Sequence, residues 1–63
     1  MAERIGEVYF EFTVVGSAVR VSALDAATGL EVTVVGPAAT PKTHLERLAL
    51  AKLERRLARE QGE

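Results

Sequence analysis

The chain has 63 residues, no cysteine and one histidine, and its charged side chains nearly cancel to a net charge of −1. A chain of this length forms one domain, no disulfide can stabilise it, and a lone histidine excludes a metal site built from several histidines. We therefore predict a single domain over residues 1–63 that holds no metal and no cofactor.

Small size limits the core that such a chain can build. Domains shorter than roughly 70–80 residues usually gain stability from disulfides, a metal or a partner chain. Because the first two are excluded, we predict self-association as a homodimer. No segment approaches the roughly 20 apolar residues of a membrane span, and the first residues lack the apolar run of a secretory signal. We therefore expect a cytoplasmic protein without a membrane partner.

Residues 7–15 predict the first strand. Aromatic and β-branched side chains dominate this segment and alternate with period two, which is typical of a half-buried strand. One face carries Val8, Phe10, Phe12 and Val14. The pair Gly16-Ser17 follows and predicts a two-residue hairpin turn, because glycine suits the first position of turns that match the twist of the strands.

Residues 18–25 predict a second strand that pairs with the first. If Gly16-Ser17 forms the loop, the two strands align their apolar side chains on one face. The predicted pairs are Val14 with Val19, Phe12 with Val21, and Phe10 with Ala23. A slip of one residue would place these side chains on opposite faces, so the loop length determines the register.

A second turn precedes a third strand, predicted over residues 30–35. Asp25 can accept hydrogen bonds from the turn backbone, and Gly29 can adopt the left-handed conformation that closes the turn. A three-residue loop, 27–29, would mix the apolar and polar faces, whereas a four-residue loop, 26–29, keeps them separate. We therefore predict the longer loop. It pairs Ala23 with Val32 and Val21 with Val34.

Residues 41–59 predict a C-terminal helix with two alternatives for its start. Thr40 followed by Pro41 offers an N-cap and a proline at the first helical position, whereas Thr43 and Glu46 match a capping box. We favour Thr40. Apolar residues recur at helical spacing and predict the buried face: Leu45, Leu48, Ala49, Leu53 and Leu57.

These elements predict an α+β fold of two layers, in which a three-stranded antiparallel meander packs one face against the helix (βββα). The alternation assigns the inward side chains of the sheet: Val8, Phe10, Phe12, Val14, Val19, Val21, Ala23, Leu30, Val32 and Val34. Phe10 and Phe12 are the largest, and truncating either to alanine is predicted to cost about 3–5 kcal/mol.

Apolar side chains outside this core indicate where a partner would bind. The first and third strands have open edges, which invite pairing with another chain. Four apolar residues fall on the outer sheet face and one on the side of the helix, and together they form the candidate interface: Tyr9, Val15, Leu24, Val35 and Leu50.

The charges are distributed unevenly along the chain. Residues 1–36 carry two basic and five acidic side chains, and residues 37–63 carry six basic and four acidic ones. A basic stripe on the helix is the candidate nucleic-acid contact: Lys52, Arg55, Arg56 and Arg59. The balanced net charge and the lack of stacking aromatic residues make nucleic acid the less favoured partner.

Catalysis is not predicted. His44 at the helix start lacks the orienting carboxylate and the cleft that a general base needs, so it is interpreted as an exposed residue. The Gly36-Pro37 segment before the helix, assisted by Lys42, is a candidate anion site at the helix N-terminus. A plain strand-to-helix connection is the simpler interpretation of that segment.

Several segments together resemble a known family. They are EVYFEF at 7–12, VRVSA at 19–23, DAATG at 25–29, VVGPA at 34–38 and LALAKL at 48–53. The chain resembles a family of short, uncharacterised bacterial proteins classed as a domain of unknown function. These segments hold turn and core residues, so the resemblance supports the fold and implies no activity and no site residue.

The function that these observations favour is a small protein-interaction or accessory module of unknown specific role. We expect a homodimer that can also bind a protein partner. The alternative is a weak nucleic-acid-binding protein that uses the basic stripe of the helix.

Overall fold

A computed structural model of the protein describes residues 7–60. It has three strands and one helix in the order β1 (Val8–Val15), β2 (Ala18–Asp25), β3 (Glu31–Pro37) and α1 (Lys42–Glu60). The strands form one antiparallel sheet in the order β1-β2-β3. The predicted βββα arrangement is confirmed. The expectation that the N-terminus lacks a secretory signal concerns residues outside the described range.

The first hairpin has the predicted loop and register. Gly16 has φ of +61°, and no residue other than glycine has positive φ in the described part of the chain. A positive φ at the first loop position alone is the pattern of a type II′ turn. The observed pairs join Val14 to Val19, Phe12 to Val21 and Phe10 to Ala23, so the register prediction is confirmed.

Asp25 organises the second turn. Its Oδ2 accepts hydrogen bonds from the backbone N–H of Thr28 at 3.1 Å and from the Thr28 hydroxyl at 2.7 Å. Its carbonyl accepts from the N–H of Gly29 at 2.8 Å, where φ is +79°. The Asp25 N–H donates to the Leu30 carbonyl at 2.8 Å. The loop therefore spans 26–29, as predicted, and the carboxylate is buried with partners.

The helix begins close to the earlier of the two predicted starts. The Pro41 carbonyl accepts from the N–H groups of His44 and Leu45, at 3.1 and 3.3 Å. Thr43 is therefore inside the first helical turn, and the capping-box alternative is wrong. The helix ends at Glu60 within the described residues.

The core lies between α1 and the neighbouring pair of strands, β2 and β3. Its buried side chains are Val19, Val21, Ala23, Val32, Leu45, Ala49 and Leu53. Leu53 and Val21 are the largest fully buried ones. Gly36 lets the end of β3 approach the Leu45 side chain of α1 closely, since a Cβ on Gly36 would lie 3.0 Å from Cδ2 of Leu45.

Two residues predicted to face the core are exposed. Val14 is 69% exposed and Leu48 is 47% exposed, while Phe10 and Phe12 are only half-buried. For Val14 the cause is the lateral position of α1, which packs on β2 and β3. Leu48 lies about 100° around the helix from the buried Ala49. Phe10 and Phe12 still pack against the core, and the predicted cost of truncating them stays a prediction.

We expect Leu53→Ala to lower the free energy of unfolding by about 3 kcal/mol, because Leu53 is fully buried and its truncation leaves a cavity. A chain of this length is expected to have a total stability of about 3–9 kcal/mol. Leu48→Ala, the same substitution at an exposed position of the same helix, is the control and should cost less than about 1 kcal/mol. Urea unfolding followed by circular dichroism measures both, and equal costs would contradict the placement of α1.

We expect Asp25→Ala to lower the free energy of unfolding by about 1–3 kcal/mol, because two hydrogen bonds to the carboxylate are lost. Thr28→Val is the control, since it removes only the hydroxyl bond and keeps the backbone one. Its cost should be smaller in the same urea experiment. A larger cost for Thr28→Val than for Asp25→Ala would contradict the role assigned to the carboxylate.

Candidate interaction surfaces

The outer face of the sheet divides the predicted interface residues into two groups. Val15 and Val35 lie near Ala18 and Arg20 around a shallow depression of about 280 Å³. Tyr9 and Leu24 are cross-strand neighbours at the opposite end of the sheet. Val35 lies in the same cross-strand row as Thr13. This row is four residues along β1 from Tyr9, so the two groups are roughly 13 Å apart.

A polar row crosses the sheet between these two groups. Glu11, Ser22 and Thr33 are cross-strand neighbours, and the hydroxyls of Ser22 and Thr33 are 3.2 Å apart. The apolar side chains of the outer face therefore do not form one continuous patch. Leu50 is on the helix, in the other layer, and is half-buried.

Tyr9 has a polar partner at its end of the outer face. Its hydroxyl donates to Oε1 of Glu7 at 2.6 Å. This hydrogen bond and the negative charge of the carboxylate raise the pKa of Tyr9 above its ordinary value, with a further contribution from burial. The ring itself is 56% exposed, so the phenol is anchored while the ring stays available for contact.

The inner side of β1 is an apolar surface that the sequence assigned to the core. It consists of Phe10, Phe12 and Val14, which we call the β1 strip. Lys42 places its Nζ 5.2 Å from the centre of the Phe12 ring, where a cation is attracted by the ring face. The helix covers this strip only in part, because α1 packs mainly on β2 and β3 and Phe10 and Phe12 reach the core with one side of their rings.

The dimensions of a helix and a sheet account for this exposure. Neighbouring strands lie about 4.8 Å apart and a helix with its side chains is about 10 Å wide, so a single helix covers two strands well and a third poorly.

One hydrogen bond shows which side of α1 faces each edge of the sheet. Lys52 donates to the Thr33 carbonyl on β3 at 2.8 Å. Leu50 is about 160° from Lys52 around the helix, so it faces the β1 side.

The two edges of the sheet differ in their backbone groups. In antiparallel strands alternate residues direct both N–H and C=O towards the same neighbour. Because the Glu7 carbonyl accepts a hydrogen bond from the Ala26 N–H, the odd-numbered residues of β1 direct their backbone N–H and C=O groups towards β2. The even residues, Val8 to Val14, direct their backbone to the open edge, where they meet no backbone partner within residues 7–60.

The edge of β3 is protected. The residues of β3 that direct their backbone groups outward include Thr33 and Val35. The Thr33 carbonyl accepts a hydrogen bond from the Lys52 ammonium at 2.8 Å. Pro37 ends the strand and has no N–H to offer. Lysine and proline at an edge are common devices against pairing with another chain.

The basic stripe forms a cleft beside β3. Lys52, Arg55, Arg56 and Arg59 line a space of about 470 Å³ together with Val32 and Ala58. Two of the four cations have partners, since Lys52 bonds to Thr33 and Arg56 lies 3.4 Å from Oε2 of Glu60. The structure thus brings the predicted stripe together, with Arg55 and Arg59 exposed.

The remaining candidates are isolated. His44 is exposed in the first helical turn, and no three His, Asp or Glu residues within 7–60 are grouped so that they could hold a metal ion. Lys42, the predicted anion ligand, is positioned over Phe12 instead. The helix of the described segment lacks the length of apolar sequence that crossing a membrane requires.

Comparison with known proteins identifies the family from most of the chain. Comparison with curated proteins and with solved structures gives no significant match. A family described as a domain of unknown function (DUF6898) matches residues 5–60, which include all three strands and the whole helix. The predicted family resemblance is therefore confirmed, and the chain belongs to DUF6898.

Proposed function

We propose that the protein is a small, non-catalytic interaction module that self-associates as a homodimer. The observation that carries the proposal is the β1 strip, an apolar surface that α1 leaves partly uncovered. Val14 is 69% exposed there beside two half-buried phenylalanines. Contiguous apolar surface of this kind is typical of contact sites in small proteins.

Energetics support a partner at this surface. Full burial of a valine or phenylalanine side chain stabilises by roughly 1.5–3 kcal/mol relative to exposure. The total stability expected for a chain of this length is only about 3–9 kcal/mol. Covering the β1 strip would therefore add a sizeable fraction of the stability of the monomer, which is why association suits a domain of this size.

The outer sheet face is less suited to the same role. Its apolar side chains are divided by the polar row that contains Glu11 and Ser22. A partner would have to desolvate these groups to reach both ends, and burying polar groups without new partners is unfavourable. Tyr9 and Val15 belong to β1, so these two outer residues can contribute to an interface at the edge of that strand.

We expect sedimentation velocity over a range of micromolar concentrations to show reversible conversion of the 6.8 kDa chain to a species of twice that mass. Because apolar contacts dominate the β1 strip, the conversion should persist at high salt. The midpoint of thermal unfolding should rise with protein concentration, since association stabilises the folded state by mass action.

The test variant is Val14→Ser, which removes apolar surface from an exposed position without opening a cavity. It should weaken dimerisation. The control is Leu48→Ser, at an exposed position on the side of the helix away from β1, and it should leave dimerisation unchanged. A monomer at every concentration of the unmodified protein would end the proposal.

A second candidate function is nucleic-acid binding through the basic stripe. The specific observation in its favour is that Lys52, Arg55, Arg56 and Arg59 share one cleft. Against it, Glu54 and Glu60 lie on the same helix segment, and the cleft contains no aromatic side chain on which a base could stack.

If this second function holds, binding to DNA or RNA should weaken steeply with salt, and Arg55→Ala should reduce the slope of log affinity against log salt by about 1. Arg47→Ala is the matched control, because it removes the same charge from an exposed helix position outside the cleft. Fluorescence anisotropy titrations at several salt concentrations measure both. Flat titrations at low salt, or equal effects of the two variants, would eliminate this candidate.

A further inference from the structure

We infer that two copies of this chain associate through antiparallel pairing of their β1 strands, centred on Phe12, so that the two sheets become one. The inference rests on the proposed self-association and identifies its surface and register. Its basis is the combination of an open backbone edge and an uncovered apolar strip on the same strand.

The open edge of β1 is a template for a strand. Val8, Phe10, Phe12 and Val14 direct their N–H and C=O groups outward, without a backbone partner in residues 7–60. The strand contains neither lysine nor proline, the residues that commonly protect an edge. The edge of β3 has both protections, through Lys52 and Pro37. Only the β1 edge is therefore suited to pairing.

Symmetric pairing restricts the register to a few choices. The outward residues must pair with one another, so the two-fold axis passes through a residue of β1. An axis at Thr13 would place Phe10 opposite Gly16 in the turn, which leaves axes at Phe10, Glu11 and Phe12 to compare. An axis at Glu11 places this carboxylate directly opposite the partner's Glu11, and like charges in that position are destabilising. Repulsion between these carboxylates therefore disfavours the register centred on Glu11.

An axis at Phe10 would leave the C-terminal end of β1 unpaired. Val14 would then lie opposite residue 6, before the strand begins, and Val15 would extend beyond it. These two valines are 69% and 57% exposed. The register centred on Phe10 therefore leaves these two exposed valines without cross-strand partners.

An axis at Phe12 gives every exposed apolar residue of β1 a partner. Val14 faces the partner's Phe10 on the inner side, and Tyr9 faces the partner's Val15 on the outer side. Pairs of an aromatic with a β-branched residue are among the favourable cross-strand combinations. Glu11 faces the partner's Thr13, which is uncharged. This register alone is self-complementary in both shape and charge.

The size of this contact determines the strength of the dimer. Pairing of residues 9–15 spans about 23 Å, and side chains extend roughly 5 Å on each face of the sheet. The two partners would then bury roughly 500 Å² in total, well below the ~1,200 Å² at the lower end for stable complexes. We therefore expect a reversible dimer rather than an obligate one.

The test places one proline on each edge of the sheet. Val14→Pro removes an N–H that points to the open edge of β1, and Val35→Pro removes the equivalent N–H on β3. Both valines are exposed and neither N–H belongs to the sheet ladder. In sedimentation velocity, Val14→Pro should weaken dimerisation at least ~10-fold, because two symmetric hydrogen bonds are lost. Val35→Pro should leave it unchanged.

The outcomes separate this inference from the proposed function. If the unmodified protein dimerises and Val14→Pro still does, the β1 pairing is wrong while self-association stands. If both proline variants are monomeric, the effect is not specific to β1 and the pairing is again overturned. An unmodified protein that never dimerises overturns the proposed function itself.

A second pair of variants at Thr13 decides the matter if Val14→Pro fails to fold. Thr13→Lys would face the partner's Glu11 and tighten the dimer, whereas Thr13→Glu would weaken it. Within one chain the neighbour of Thr13 is Arg20, so the same substitutions should change monomer stability in the opposite order. Changes of dimer affinity that follow monomer stability would contradict the register.

Discussion

The width of one helix against the width of three strands is the constraint on which this structure depends. Strands are about 4.8 Å apart and a helix is about 10 Å across, so α1 covers two strands fully. It covers β2 and β3, where Leu53 packs near Val21 in the buried core. The third strand, β1, keeps its hydrogen bonds to β2 but has Val14 exposed. The core and the exposed apolar strip both follow from this one mismatch.

Most of the fold could be predicted because local turn chemistry determines the register of a meander. Gly16 and Gly29 are the two positions of positive φ, and each identifies a loop whose length sets the pairing of the strands on either side. Asp25 reinforces the second loop by bonding Thr28. Once both loop lengths are known, alternation assigns each side chain to a face.

The lateral position of the helix could not be predicted in the same way. Periodicity shows which face of a helix and of a sheet is apolar, but it does not show which strands the helix overlies. Val14 and Leu48 satisfy the patterns for burial, yet both are exposed. The division of the candidate interface could not be predicted for the same reason. Alternation places Tyr9 and Val35 on one face, but it does not show the polar row that lies between them.

The position of α1 also links stability to association. Phe12 contributes one part of its ring to the core and leaves another beneath the Lys42 ammonium, so the same side chain supports the monomer and lines the open strip. In the proposed dimer, contacts at the strip would add to the packing of a ring that is already half-buried. Substitutions at Phe12 would therefore change folding and association together, whereas substitutions at Val14, whose side chain lies outside the core, would separate the two.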